Sequence, residues 1–469
     1  MKVSMSWLKD FVDIDVPVQE LADRLVSAGF EVEEIIDKSA EIRNVVLGKI
    51  VKMTHHPDAD KLWICSVDIG EEAPVQIVTG AQNLTEGDLV PAALDDSYLP
   101  GGKHIKTGKL RGVDSYGMLC SGEELGLTES DYKGAGVYGI LVMNKETAPL
   151  GTDINEVLGN DDIILDIGVT ANRSDCNSVL GIAREVSAVL GKPLRMPEIG
   201  FMCCDDKVED KISVKVEIPE LCPRYMAAAV SDVKIVPSDD AIAKRLRSVG
   251  LRPINSIVDI TNYVLIEIGQ PMHAFDAHKL DGGKIVVRTA NEGEKIVALD
   301  NKEYTLDPTM VAICDESKPC AIGGVMGGNN SCIDENTKDI VFESAKFMRD
   351  NIRRTSRKLN LRSDSSFRYE RGIDTDSQRL GLMRALTLID KYGYGKIAKG
   401  VVDAFANPPK REKVSVPLTK IADILGIVVP EENILNILTG LGLAPTIEDG
   451  VLTVDPPLFR DDIENANDI

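Results

Sequence analysis

Basic charge is the first thing this chain lacks. Its 53 lysines and arginines stand against 75 aspartates and glutamates, for a formal charge of −22 and a pI near 4.8. That excludes a sequence-independent nucleic-acid coat, which needs a basic footprint, so any RNA contact has to be local. Cysteine pairing is missing too: the nine cysteines contain no C-x-x-C, and their odd number sets no disulfide framework. Reduced thiols and no zinc centre are the expectation, as in a cytoplasmic protein. Aromatic residues make up only 4%, with two tryptophans, which leaves few platforms on which bases could stack. Nowhere is there a run of about 18 apolar residues. The opening "MKVSMSWLKDFVDI" has no long apolar core and no small-residue cleavage site. The chain is expected to be neither exported nor membrane-spanning.

What is present is length and a mixture of textures. A chain of 469 residues exceeds one hydrophobic core, and three or four domains are expected. In "VQELADRLVSAGFEVEEI", Leu21, Leu25 and Val26 recur at helical spacing and Gly29 sits where a helix would stop, so a helix and then a short strand are predicted. From Val45 the runs "VVLGKIVKM", "LWICSVDIG", "VQIVTGA" and "LVPAAL" are short, β-like and separated by Pro, Gly and Asp. They predict a small closed or half-closed β-barrel. Helical patterning returns in "VLGIAREVSAVLG", and residues 211–400 mix strands with helices, as in an α/β or α+β domain. After "ANPPKREKVSVPL", two short helices and a strand candidate make a last module.

"GQPMHAFDAHK" holds two of the five histidines. Pro271 has no amide donor and biases Gln270 away from helical angles, so the segment reads as a turn presenting side chains. His273 there is either a functional group or a half-buried histidine bonded to a backbone carbonyl.

"HHPDADKLWICSVDIG", "LRGVDSYGMLCSGEELGL", "LRPINSIVDITNYVLIEIGQPMHAFD", "GGVMGG", "VFESAKF" and "RSDSSFRYERGID" follow one another in this order. Through them the chain resembles the N-terminal part of the β subunit of bacterial phenylalanyl-tRNA synthetases, from Met1 to its last residue. The resemblance implies a multidomain α/β and α+β chain. A split N-terminal domain (1–38 and 152–200) would be interrupted by an oligonucleotide-binding β-barrel (39–151) that binds tRNA. An α+β editing module (201–400) and a small C-terminal α/β module (401–469) would follow. It implies tRNA(Phe) and an α subunit as partners, with phenylalanine activation and its ATP belonging to that α subunit. The chain stops inside a motif that the family continues, and reads as truncated.

Phenylalanine and tyrosine differ by one hydroxyl, and an apolar pocket rejects an added hydroxyl by only about a hundredfold. A second, hydrolytic pocket that selects tyrosine is the remedy, and it needs a buried acceptor for the phenol. Glu343 suits that role as an ionised carboxylate; taken alone, such a glutamate is more often a solvated charge on a strand edge. The resemblance places His273 at the pocket mouth beside Arg252 and Asn262, holding water or ribose, with Arg252 on the acceptor strand. Gly323, Gly324, Gly327 and Gly328 allow close backbone approach, and their amides could stabilise an oxyanion; a tight turn is the alternative. Ser363 and Ser365 stand where the family commonly has threonine and alanine, small but more polar.

In the barrel, Lys61, Trp63, Lys103 and Lys106 are the tRNA-binding candidates, with Tyr98 a further aromatic, and Trp63 could as well be core. Asp462 and Asp468 match the first two acidic positions of a magnesium site that the family completes further on. Two carboxylates at a frayed end should hold Mg2+ poorly. The rival to an editing hydrolase is a non-catalytic RNA-docking and assembly fragment.

Overall fold

Side-chain alternation along buried strands decides where the chemistry of this chain points. The computed structural model describes every residue except 130, 131, 144–147, 161, 407 and 410. Its architecture is mixed α/β. At the N-terminus, Ile163–Gly168 runs antiparallel between Lys2–Ser4 and Glu31–Asp37, so a strand from beyond the intervening sheet completes the first one. The helices Val18–Ser27 and Val179–Leu190 bury Leu21, Leu25, Ile182 and Val186 in a core shared with Trp7.

Between these parts lies a strongly curved six-stranded sheet. Its long strand Arg43–His56 pairs with both Ala59–Asp68 and Leu89–Leu99. The ends of the sheet approach one another, with the Tyr116 amide donating to the Gln76 carbonyl at 2.9 Å and the Val78 amide to Ser115 Oγ at 3.0 Å. The sheet is thus nearly closed, as the short β-like runs predict.

The next 200 residues form a layered unit. One sheet has the order Cys203–Lys207, Lys396–Lys399, Arg224–Ser231, Ile340–Lys346, Met272–Asp276. Helices Ser256–Ile268 and Ser377–Tyr392 pack on one face, where Phe342 and Ala274 join their core. A second sheet, built on Lys284–Thr289, Val311–Cys314 and Pro319–Ile322, covers the other face, where Val341, Ala345 and Phe275 point. By the two-residue period of a strand, Glu343 and His273 share that inter-sheet face.

The segment around His273 is a turn only at its start. Gly269, at φ +88°, ends the helix, and Met272–Asp276 is an edge strand paired with Ile340–Lys346. Proline restricts only itself and the residue before it, so beyond Pro271 the pairing to a buried central strand takes over. The last module has the sheet Val414–Pro417, Val451–Val454, Thr446–Glu448 with helices Leu418–Leu425 and Glu431–Gly440. Among the described residues no helix is long and apolar enough to cross a membrane.

Candidate functional site

Glu343 and His273 are directly opposite each other in the antiparallel ladder, so their side chains lie side by side between the two sheets. They open on a cavity of about 60 Å³, also lined by Met272, Gly324, Met326, Gly327, Ser365 and Tyr369. Glu343 is buried, 6% exposed, and its Oε2 accepts a hydrogen bond from the Tyr225 hydroxyl at 3.1 Å. Tyr225 reaches it from two residues along the neighbouring strand, where Ala227 is the direct partner of Glu343. The imidazole of His273 stands edge-on to Phe275, ring centres 4.5 Å apart, and its Nε2 is enclosed without a partner.

Burial moves both groups toward neutrality. The Glu343 carboxyl is raised to about 7, the Tyr225 hydrogen bond opposing the shift, and His273 is lowered to about 4. The carboxyl is therefore half-titrated near neutral pH, where a fully ionised group was expected, and the histidine is a neutral imidazole. The two affect stability in opposite senses. Glu343, with its folded pKa raised, contributes stability that is present below about 4.5 and lost as pH rises through about 7; His273, with its folded pKa depressed, contributes stability that is present above about 6.5 and lost as pH falls through about 4. Glu343→Gln should remove the first effect alone. Its thermal midpoint relative to the parent chain should rise steadily between pH 5 and pH 8, the full difference being on the order of 3 kcal/mol. A difference constant across that range would show that Glu343 ionises as it would in water.

The remaining sequence candidates divide. Gly324 and Gly327 line the cavity; a Cβ on Gly327 would lie 2.4 Å from Cε1 of His273, so only glycine lets the ring sit where it does. Gly323 and Gly328 are structural: their amides already donate to the carbonyls of Val311 and Cys320, at 2.9 and 2.8 Å, which removes both from any oxyanion role. Ser365 faces the cavity, whereas Ser363 caps the helix Asp364–Tyr369 and donates to the Val325 carbonyl at 2.6 Å, tying that helix to the glycine loop. Arg252 and Asn262 are not among the cavity-lining residues. Arg252 is exposed, and Asn262 is half-buried on the helix Ser256–Ile268. Sequence reasoning missed Tyr225, a diagonal neighbour on the adjacent strand, and Tyr369, at the end of the helix Asp364–Tyr369, since contacts between elements so far apart in sequence leave no trace in local spacing.

On the curved sheet, Trp63 is half-buried, lies 3.7 Å from the ring of His55, and donates from Nε1 to Gln82 at 3.4 Å. Lys61 and Lys106 are exposed, while Lys103 is paired with Glu124 at 2.6 Å. Tyr98, stacked on His104 at 4.3 Å with Arg43 over its ring at 4.7 Å, is the second aromatic-cation surface there. At the other end, Asp462 is held in a two-point ion pair by Arg460, at 2.8 and 2.9 Å. Asp468 Oδ2 accepts the amides of Glu464 and Asn465 at 3.0 and 2.8 Å. Asp462 is thus engaged through both of its oxygens and Asp468 through one. Among the described residues, the side chains of metal-ligand type that do cluster are Asp175, Cys176 and Glu185. The guanidinium of Arg173 donates to all three, so that a cation already occupies their centre.

Comparison with known proteins fits this organisation. A "Putative tRNA binding domain" model matches residues 45–152, a B3/4 domain model residues 221–394, and a tRNA synthetase B5 domain model residues 414–469. The carboxyl–imidazole cavity lies within the B3/4 match. Modules in this order define a component of an aminoacyl-tRNA synthetase. The phenylalanine–tRNA ligase β subunit of Clostridium acetobutylicum is 46% identical over 470 residues, which cover 100% of this chain and 59% of that protein. The β subunit from Clostridium tetani is 43% identical, covering 100% and 58%. An N-terminal fragment of the phenylalanyl-tRNA synthetase β subunit from Pyrococcus horikoshii is a remote structural likeness. Its TM-score is 0.33 at 18% identity, covering 66% of this chain and 85% of that one. The chain belongs to the phenylalanine–tRNA ligase β-subunit family and corresponds to its N-terminal part. It spans about three-fifths of the length of the curated relatives it matches.

Proposed function

We propose that this chain proofreads for a phenylalanine–tRNA ligase, hydrolysing tyrosine from mischarged Tyr-tRNA(Phe) in the cavity between the two sheets. The observation that carries this reading is a buried carboxyl beside a neutral, unpartnered imidazole at one cavity. Glu343 accepts the tyrosyl hydroxyl, and phenylalanine in the same place leaves the carboxyl desolvated and unpaired. With its pKa near 4, His273 is too weak a base to take a proton outright. Its Nε2 holds the attacking water or the terminal ribose hydroxyl by a hydrogen bond, and positioning supplies the acceleration. At about 60 Å³ the cavity holds a few waters. The flexible side chains of Met272 and Met326 move aside to admit the ring.

Arg252 and Asn262 are assigned to the acceptor strand outside the cavity, and the curved sheet, through Trp63, Tyr98, Lys61 and Lys106, to further RNA contact. The α subunit, with its ATP and phenylalanine activation, and the rest of the β subunit are the cytoplasmic partners. The test is to incubate this chain with Tyr-tRNA(Phe) and Phe-tRNA(Phe) and follow release of each amino acid. Faster release of tyrosine than of phenylalanine is expected. Spontaneous rates for both, with tRNA still bound, would leave the chain a docking fragment.

A further inference from the structure

We propose that Tyr225 is a positioning residue for the selectivity of this site: its hydroxyl occupies one oxygen of Glu343 and turns the other toward the cavity. The proposal rests on the assignment of Glu343 as acceptor of the tyrosyl hydroxyl. Among the described residues, the titratable side chains around that carboxyl are Tyr225 and Cys222 from the neighbouring strand and the turn before it, Tyr369 from the helix Asp364–Tyr369, and His273 from the paired strand. Only Tyr225, among the described residues, donates to it, from Oη to Oε2 at 3.1 Å. The Tyr369 hydroxyl donates instead to the Ala345 carbonyl at 2.8 Å, and Gln270 donates to its oxygen at 3.4 Å. Gln270 is itself held by Gln378, at 2.9 Å, so the Tyr369 hydroxyl is not free to turn.

The Tyr225 bond engages one oxygen of Glu343 and leaves the other, among the described residues, without a side-chain donor, on a residue that lines the cavity. The Tyr225 bond also favours the charged carboxyl against its burial, and so sets the pH at which the acceptor becomes a full anion. The site thus recognises a tyrosyl hydroxyl with a carboxyl that a resident tyrosyl hydroxyl has oriented.

The experiment measures tyrosine release from Tyr-tRNA(Phe), relative to phenylalanine release from Phe-tRNA(Phe), across pH 5.5 to 9 for the parent chain, Tyr225→Phe and Glu343→Gln. Phenylalanine keeps the packing and removes one oxygen. The parent ratio should rise through a midpoint near pH 7. In Tyr225→Phe that midpoint should move up by about one pH unit, lowering the ratio roughly threefold at pH 7.5. Glu343→Gln should give a low, flat profile. An unmoved midpoint in Tyr225→Phe, with a flat Glu343→Gln, would overturn the positioning role while sparing the acceptor. A parent-like ratio and profile in Glu343→Gln would overturn the acceptor and the positioning role with it.

Discussion

Glu343→Ala is expected to remove most of the preference of this chain for tyrosine, lowering the tyrosine-to-phenylalanine ratio of affinity or of hydrolysis by about tenfold to a hundredfold. A charge-assisted bond to a buried carboxylate contributes roughly 1.5–3 kcal/mol, and only tyrosine carries the hydrogen that makes it. Phenylalanine should lose nothing and could gain, because the variant no longer asks it to cover an unpaired carboxyl. The direction of the phenylalanine change is therefore the sharper diagnostic. Calorimetric titration with the two free amino acids separates them without RNA. Equal losses for both would remove Glu343 from the selectivity argument and leave it a buried strand residue paired with Tyr225. The parent preference should itself strengthen from pH 6 to pH 8, since the carboxyl that accepts the phenol titrates near 7.

How much of this was legible in the sequence depends on the distance over which each feature is encoded. A helix stop written as a single glycine was legible: Gly191 closes its helix in the left-handed conformation at the end of the run "VLGIAREVSAVLG". So was the run of short strands from Val45, whose hydrogen bonds join the ends of one curved sheet. Glu343 and His273 were legible as candidates through the resemblance, but their juxtaposition is a matter of strand register, which no local spacing reports. The same holds for the protonation of Glu343: an isolated glutamate in a sequence is taken as ionised, and only burial between two sheets moves it toward neutrality. The four glycines of "GGVMGG" look alike in the sequence. In the fold, the amides of Gly323 and Gly328 are bonded to the carbonyls of Val311 and Cys320, while Gly324, in the turn at φ +68°, and Gly327, in the short strand, line the cavity. Asp462 reads as a free carboxylate until the neighbouring Arg460 closes on it.

Gly327→Ala is the substitution that separates the site from the fold. A Cβ there would meet His273 at 2.4 Å from Cε1 and 2.8 Å from Nε2, closer than any real contact, so the imidazole has to leave its position. Backbone strain is not the obstacle, because Gly327 lies in the strand Met326–Gly327 and does not adopt a positive φ. Displacing a positioned group by about an ångström typically costs on the order of a hundredfold in rate, and a loss of that size is expected in Tyr-tRNA(Phe) hydrolysis. The thermal midpoint should move little, since the ring that shifts borders a cavity. Gly324→Ala provides the contrast: φ is +68°, and its Cβ would lie 2.8 Å from Ile352 Cδ1 and 3.0 Å from the Phe347 ring, inside the apolar core. That variant should lose about 1–2 kcal/mol from the left-handed backbone alone, with more from overpacking. Measured side by side, Gly327→Ala should be inactive and folded, and Gly324→Ala destabilised. Parent-like hydrolysis by Gly327→Ala would show that the position of His273 does not matter to the reaction.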